Sequence, residues 1–169
     1  MEEQRFTFNA VASLYDASRP SYPEQLFDDV IAAAGLTRGE RILEVGSGTG
    51  KATEKFARRG YPILAIEPGA QMIAAAKKAL AQFDNVSFVE TTFEGWEPDG
   101  ATFGIVAAAQ SWHWIDPAIS FAKAAKALRP NGVLAIFGNA DVGSPLADQF
   151  QQIYRRRLPE FVGQAPERA

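Results

Sequence analysis

Three short stretches of this sequence hold residues whose types and spacing could do chemistry. The first is Glu44-Val-Gly-Ser-Gly-Thr-Gly50, an acid followed by alternate glycines at 46, 48 and 50. Glycines leave the backbone N–H groups open, and such a turn between a strand and a helix makes a cradle for a polar ligand group. The second is Glu67, 21 residues beyond Gly46 at the end of an apolar run. A carboxylate there can accept hydrogen bonds from both hydroxyls of a ribose. The third is Gln110-Ser-Trp-His-Trp-Ile-Asp116, which places the single histidine between two tryptophans. An imidazole with an ordinary pKa of about 6.5 suits general-base work, and aromatic faces attract cations and exclude water. The tract would serve equally as packing, with Trp112 and Trp114 against the following helix and His113 hydrogen-bonded locally.

The spacing of the glycines narrows the ligand. A dinucleotide fingerprint requires a third glycine or alanine three residues after the second, where this chain has Lys51. A phosphate-binding loop requires glycine five residues before a Gly-Lys pair and a hydroxyl residue after it. Those positions hold Val45 and Ala52. Neither pattern is met.

The elements that must position these residues follow from periodicity and punctuation. Ser21 and Pro23 start a helix whose apolar positions are Leu26, Phe27, Val30, Ile31 and Ala34, with Gly35 as its stop. Arg41–Val45 reads as a strand, Lys51–Arg59 as a helix and Pro62–Glu67 as a strand buried on both faces. A helix with Met72, Ile73, Ala76 and Leu80 on its apolar side spans Gly69–Phe83, and a third strand covers Val86–Val89. Gly104–Ala109 is a fourth strand. Asp116-Pro117 opens a helix to about Leu128, and Arg129-Pro-Asn-Gly132 turns into a fifth strand, Val133–Phe137. Ser144-Pro145 begins a last helix to about Arg157. Strands alternating with helices predict an α/β, doubly wound, Rossmann-like parallel sheet. Strand order 3-2-1-4-5 puts the switch point between the first and fourth strands, so the glycine turn and residues 110–116 should face one crevice.

The stretch Glu44-x-Gly46-x-Gly48-x-Gly50 resembles motif I of class I S-adenosylmethionine-dependent methyltransferases. The resemblance extends over roughly residues 6–140. It implies that Glu44, Gly46, Ser47, Gly48, Thr49 and Gly50 surround S-adenosyl-L-methionine, the product being S-adenosyl-L-homocysteine. It further implies that Glu67 holds the ribose, that Pro68 and Met72 pack on the adenine, and that Thr92 and Phe93 read the adenine edge. Gln110 and Trp112 belong to the same expected cofactor site, and His113 is the candidate catalytic base. Core filling by Met72 and turn capping by Thr92 remain open readings. Phe8-Asn-Ala-Val-Ala-Ser-Leu-Tyr15-Asp-Ala-Ser-Arg19 resembles the amino-terminal lid of small-molecule members. There Tyr15 and Arg19 would approach the methionine end of the cofactor, unless they only fasten a terminal segment.

The domain expected is 1–140, with a lid at 1–22, followed by a helix and tail at 141–169. The family usually carries two further strands, and nothing after Asn139 reads as strand. The chain is therefore expected to be truncated, to self-associate through the open edge of strand five as a homodimer, or both.

Composition excludes other classes. The chain has 169 residues, enough for one real core, and its net charge of −3 gives no footprint for nucleic acid or anionic membrane. Arg155, Arg156 and Arg157 read as a solvated helix face. No cysteine and one histidine rule against disulfides, thiolate chemistry and a His/Cys metal site. No apolar run approaches the roughly 18 residues of a membrane span, and the polar amino terminus is unlike a secretory signal, so a cytoplasmic location is expected. The expected function is methyl transfer from S-adenosylmethionine to a small-molecule acceptor. The alternatives are a nicotinamide-dependent oxidoreductase on the same fold and a truncated, non-catalytic cofactor-binding domain.

Overall fold

The computed structural model describes residues 21–98 and 102–139, and beyond them Gln152 and Arg156. The chain divides into two compact units, Met1–Asn139 and Ala140–Ala169. In the second unit Gln152 and Arg156 are helical and exposed. The rest of the helix expected from Ser144 lies outside the described residues, as do Tyr15 and Arg19.

The first unit is a sheet of five parallel strands in the order β3-β2-β1-β4-β5, as expected. The strands are β1 (Ile42–Val45), β2 (Ile63–Glu67), β3 (Val86–Glu90), β4 (Phe103–Ala109) and β5 (Leu128–Phe137). The helices are α1 (Glu24–Ala33), α2 (Lys51–Ala57), α3 (Ala70–Ala79) and α4 (Pro117–Ala127). β1 and β4 are buried along nearly their whole length, whereas β3 is half exposed at one side of the sheet. Among the described strands, β3 and β5 form the two edges.

Alternation along the strands divides the core between the two faces of the sheet. Ile42, Ile63 and Ile105 pack with Phe27 of α1 and Phe56 of α2 on one face. Leu43, Val45, Ile66 and Val106 pack with Phe93, Trp96 and Phe103 on the other. Phe27 and Phe56 meet edge to face at 4.8 Å, joining α1 to α2. Asp116 caps α4 by accepting from the Ala118 amide at 2.9 Å, with Pro117 at the first helical position.

Two boundaries differ from the sequence expectation by more than two residues. α3 ends at Ala79 rather than Phe83, because Leu80 leaves helical geometry and the Phe83 amide turns back to its carbonyl. Asn85 then donates to the carbonyls of Ala57 and Tyr61, so contacts from α2 and its exit loop outweigh the local helix preference. β5 begins at Leu128, not Val133. Phe103 pairs with Leu128 and Ile105 with Val133, so the Arg129-Pro-Asn-Gly132 turn is absorbed as a bulge within the strand, with Asn131 at φ 61°. Arg129 holds the bulge by donating to Glu40 and to the carbonyl of Ala34.

Candidate functional site

The carboxyl ends of β1, β2 and β4 open into one crevice of about 960 Å³, its open mouth included. Each strand ends in a different chemical group, and the loops that follow complete the walls.

After β1 the chain turns through Gly46 and Gly48, both in the left-handed region at φ 70° and 56°. Gly46 has a second constraint. A Cβ there would lie 2.5 Å from that of Ser111, whose hydroxyl donates to the Val45 carbonyl. A Cβ on Gly48 would meet nothing within 4 Å, which leaves the crevice side of the turn open. Gly50 belongs to packing: a Cβ there would press to 2.8 Å on Leu80, and Gly50 is the residue preceding α2.

Glu67, the last residue of β2, ties two loops together. One carboxylate oxygen accepts from the Gly48 amide and the other from the Gly69 amide, each at 2.9 Å. Burial pushes its pKa up, and these two amide donors oppose the shift by favouring the charged form. Each oxygen keeps a lone pair for a further donor. Glu44, on β1, is buried at 1% exposure. Loss of water raises its carboxyl to about 8, Thr53 draws it down and the nearby Glu67 charge raises it again. Neither Glu44 oxygen completes a hydrogen bond, nor does the buried hydroxyl of Ser47 or Thr53.

After β4, Gln110 adopts φ 58°, which a residue with a side chain rarely does, while its amide donates to the Phe137 carbonyl at 2.8 Å. This turn aims the next segment, a single 3-10 turn at Trp112–Trp114, across the crevice. His113 and Trp114 both line the crevice, their rings 4.8 Å apart. Trp112 does not. It sits against Phe93 at 6.1 Å and edge-on to Phe121 at 5.4 Å, where the packing reading of this tryptophan is the one realised. The wall opposite comes from the loop after β3. The Thr92 hydroxyl accepts from the Gly95 amide at 3.1 Å, so it caps the turn while its residue still borders the crevice. Phe93 stacks on Trp96, and Glu94 accepts from the Asp116 amide at 3.1 Å.

Of the residues singled out by sequence, the fold gathers Gly46, Gly48, Glu67, Pro68, Met72, Thr92, Phe93, Gln110 and His113 around the main crevice. Glu44, Ser47 and Thr49 line a smaller adjoining pocket with Tyr22 and Lys51. Sequence reasoning misses Gly69 and Ser111. Gly69 follows the acid by two residues, as a donor reaching back to it would. Ser111 gives no local signal, because its role depends on β4 lying beside β1.

A glycine turn and a carboxylate at neighbouring strand ends, at the switch point of a doubly wound sheet, mark this as an α/β domain of the Rossmann-like type with its crevice at the carboxyl ends of the strands. A family model described as a methyltransferase domain matches residues 42–132, more than half of the chain. The chain belongs to this family, the class I S-adenosylmethionine-dependent methyltransferases. It is similar to an uncharacterized methyltransferase of Mycobacterium tuberculosis, 34% identical over 137 residues, covering 81% of this chain and 54% of that protein. It is also similar to the trans-aconitate 2-methyltransferase of Afipia carboxidovorans, 28% identical over 79% of this chain and 51% of the relative. Among solved structures, a methyltransferase from Geobacter sulfurreducens in complex with S-adenosyl-L-homocysteine superposes with a TM-score of 0.56 at 30% identity, over 70% of this chain and 49% of that one. The chain thus spans about half the length of the relatives it matches. No described helix is long and apolar enough to cross a membrane.

Proposed function

We propose that this domain binds S-adenosyl-L-methionine in the crevice and transfers its methyl group to a small-molecule acceptor. The observation that carries the reading is Glu67, an acid at a strand end held between the Gly48 and Gly69 amides and facing the crevice.

The residues present fit an adenosyl sulfonium. Glu67 would accept the ribose hydroxyls with the lone pairs its amide donors leave. Ile66, Met72 and Phe93 provide an apolar surface for adenine. The orphaned Glu44 carboxylate and Ser47 hydroxyl, in the adjoining pocket, suit the polar end of the methionine. By the lid resemblance, Tyr15 and Arg19 would approach the same end. When bound, the cofactor supplies an electrophilic methyl on a positively charged sulfur.

The chain's own contribution is position, water exclusion and a proton acceptor. Alignment of two reactants alone is worth on the order of 7–11 kcal/mol in favourable cases. Trp114 and Ile115 present apolar surface at the crevice, which keeps water from competing. His113, on the same wall, would take a proton from an acceptor that must lose one. A carboxylate acceptor would need no base. One relative is named for a small acid, trans-aconitate, which supports a small acceptor in general.

Isothermal titration with S-adenosylmethionine and with NADH tests the reading. Micromolar binding of the first and none of the second is expected; preferential binding of NADH would overturn it. Release of S-adenosylhomocysteine across a panel of small acids, phenols and amines then tests the acceptor class, and turnover only with a protein or nucleic-acid substrate would refute a small acceptor.

A further inference from the structure

The smaller pocket beside the crevice is lined by Tyr22, Glu44, Ser47, Thr49, Lys51 and Gln110. Glu44 is its anomaly. A carboxylate at 1% exposure with two unpartnered oxygens cannot remain ionised cheaply, because removing a charge from water without a hydrogen bond costs several kcal/mol. Among the described residues, the groups facing it act in opposite directions, and burial outweighs them. From α2, Thr53 favours the charged form, and Lys51 also lines the pocket. From β2, the Glu67 charge disfavours ionisation, and from the segments before α1 and after β4 come the neutral Tyr22 and Gln110. The balance leaves its carboxyl at about 8, so the neutral acid predominates near neutrality.

We propose that Glu44 holds a proton in the free protein and gives it up when a ligand ammonium enters this pocket, so that cofactor binding expels one proton. The inference rests on the reading of the crevice as an S-adenosylmethionine site. The balance is simple. The O–H bond of Glu44 breaks, the proton passes to solvent, and the carboxylate accepts an N–H from the ligand ammonium; no electrons change hands. The pocket is then a proton-exchange site as well as a binding one. The pocket favours a ligand carrying a cation there, because a cation stabilises the buried carboxylate that deprotonation leaves behind.

The experiment is calorimetric titration of the full chain with S-adenosylhomocysteine, which has the same ammonium and no methyl to transfer, at about pH 6.5 in buffers of differing ionisation heat. The expected result is close to one proton released per ligand, with affinity rising about tenfold per pH unit toward 8. In Glu44→Gln, which mimics the neutral acid, release should vanish and affinity should fall about tenfold or more. On the unmutated chain, infrared difference spectroscopy should show a protonated-carboxyl band lost on binding, so a variant that fails to fold leaves the test intact. Binding with buffer-independent heat, or proton release undiminished in Glu44→Gln, overturns the inference and spares the proposed function. Absence of any binding overturns both.

Discussion

The Gly48 amide donates to one oxygen of the Glu67 carboxylate at 2.9 Å, and the other oxygen accepts from Gly69 at the same distance. The acid is therefore a brace for the glycine turn, besides being the proposed acceptor of the ribose hydroxyls. Its two amide donors hold both oxygens in place at the crevice before any ligand arrives, which is pre-organisation in the physical sense.

Replacing Glu67 should separate these roles. Glu67→Gln keeps the shape but has only one acceptor oxygen, so it loses at least one amide partner and the charge. Affinity for S-adenosylmethionine should fall about 10- to 100-fold, the range for a hydrogen bond to a charged group. Glu67→Ala should lose more and also lower the melting temperature. Titration calorimetry reads the first effect and thermal denaturation the second; unchanged affinity in both variants would remove Glu67 from the site.

Gly46→Ala should destabilise the fold itself. The left-handed φ costs about 1–2 kcal/mol for a residue with a side chain, and the 2.5 Å approach to Ser111 adds an overpacking cost of about 1–3 kcal/mol. A melting temperature lowered by several degrees is expected. Pairing it with Ser111→Gly should recover part of the loss and leave the φ contribution, a difference that a double-mutant comparison by chemical denaturation would read.

Glu44 makes ligand-free stability fall with rising pH. Its folded carboxyl titrates at about 8 and an unfolded one near the ordinary 4.5, so between those values the folded state binds more protons. Stability from this group is complete below about pH 4.5 and is lost as pH rises through about 8, with a slope approaching 1.4 kcal/mol per unit. Glu44→Gln should flatten that decline and be the more stable chain at alkaline pH. Parallel melting curves at several pH values check this, and coincident slopes for the two chains would show that Glu44 is ionised throughout.

His113 and Trp114 should differ in what they affect. His113→Gln should leave cofactor affinity nearly intact and lower kcat about 10²- to 10⁴-fold for an acceptor that must lose a proton. With a carboxylate acceptor the same variant should turn over normally. Trp114→Ala should raise KM for the acceptor whichever acceptor is used. Steady-state kinetics on two acceptors would distinguish them, and a kcat unaffected with a phenol or amine would make His113 a wall residue only.

Much of this protein is legible in its sequence because the relevant signals are local. Short apolar runs, helical spacing in Phe27 and its neighbours, and left-handed glycines at 35, 46 and 60 define elements without reference to the rest of the chain. The handedness of crossovers then leaves few sheet orders, and 3-2-1-4-5 is the one found. The glycine turn and Glu67 are legible for the same reason, since each sits at the end of a recognisable strand.

What only the tertiary structure decided are relations between segments distant in sequence. That Ser111 fills the space Gly46 leaves follows from β4 lying beside β1, and that β5 starts at Leu128 follows from pairing with Phe103 across a bulge. The two tryptophans show the limit most plainly. In a turn with three residues per revolution, positions two apart point about 120° from each other, so Trp112 and Trp114 face different surroundings. Which one reaches the crevice depends on the rotation of that turn. The left-handed Gln110 and the packing of Trp112 on Phe93 and Phe121 set that rotation, and neither can be read from the order of residues alone.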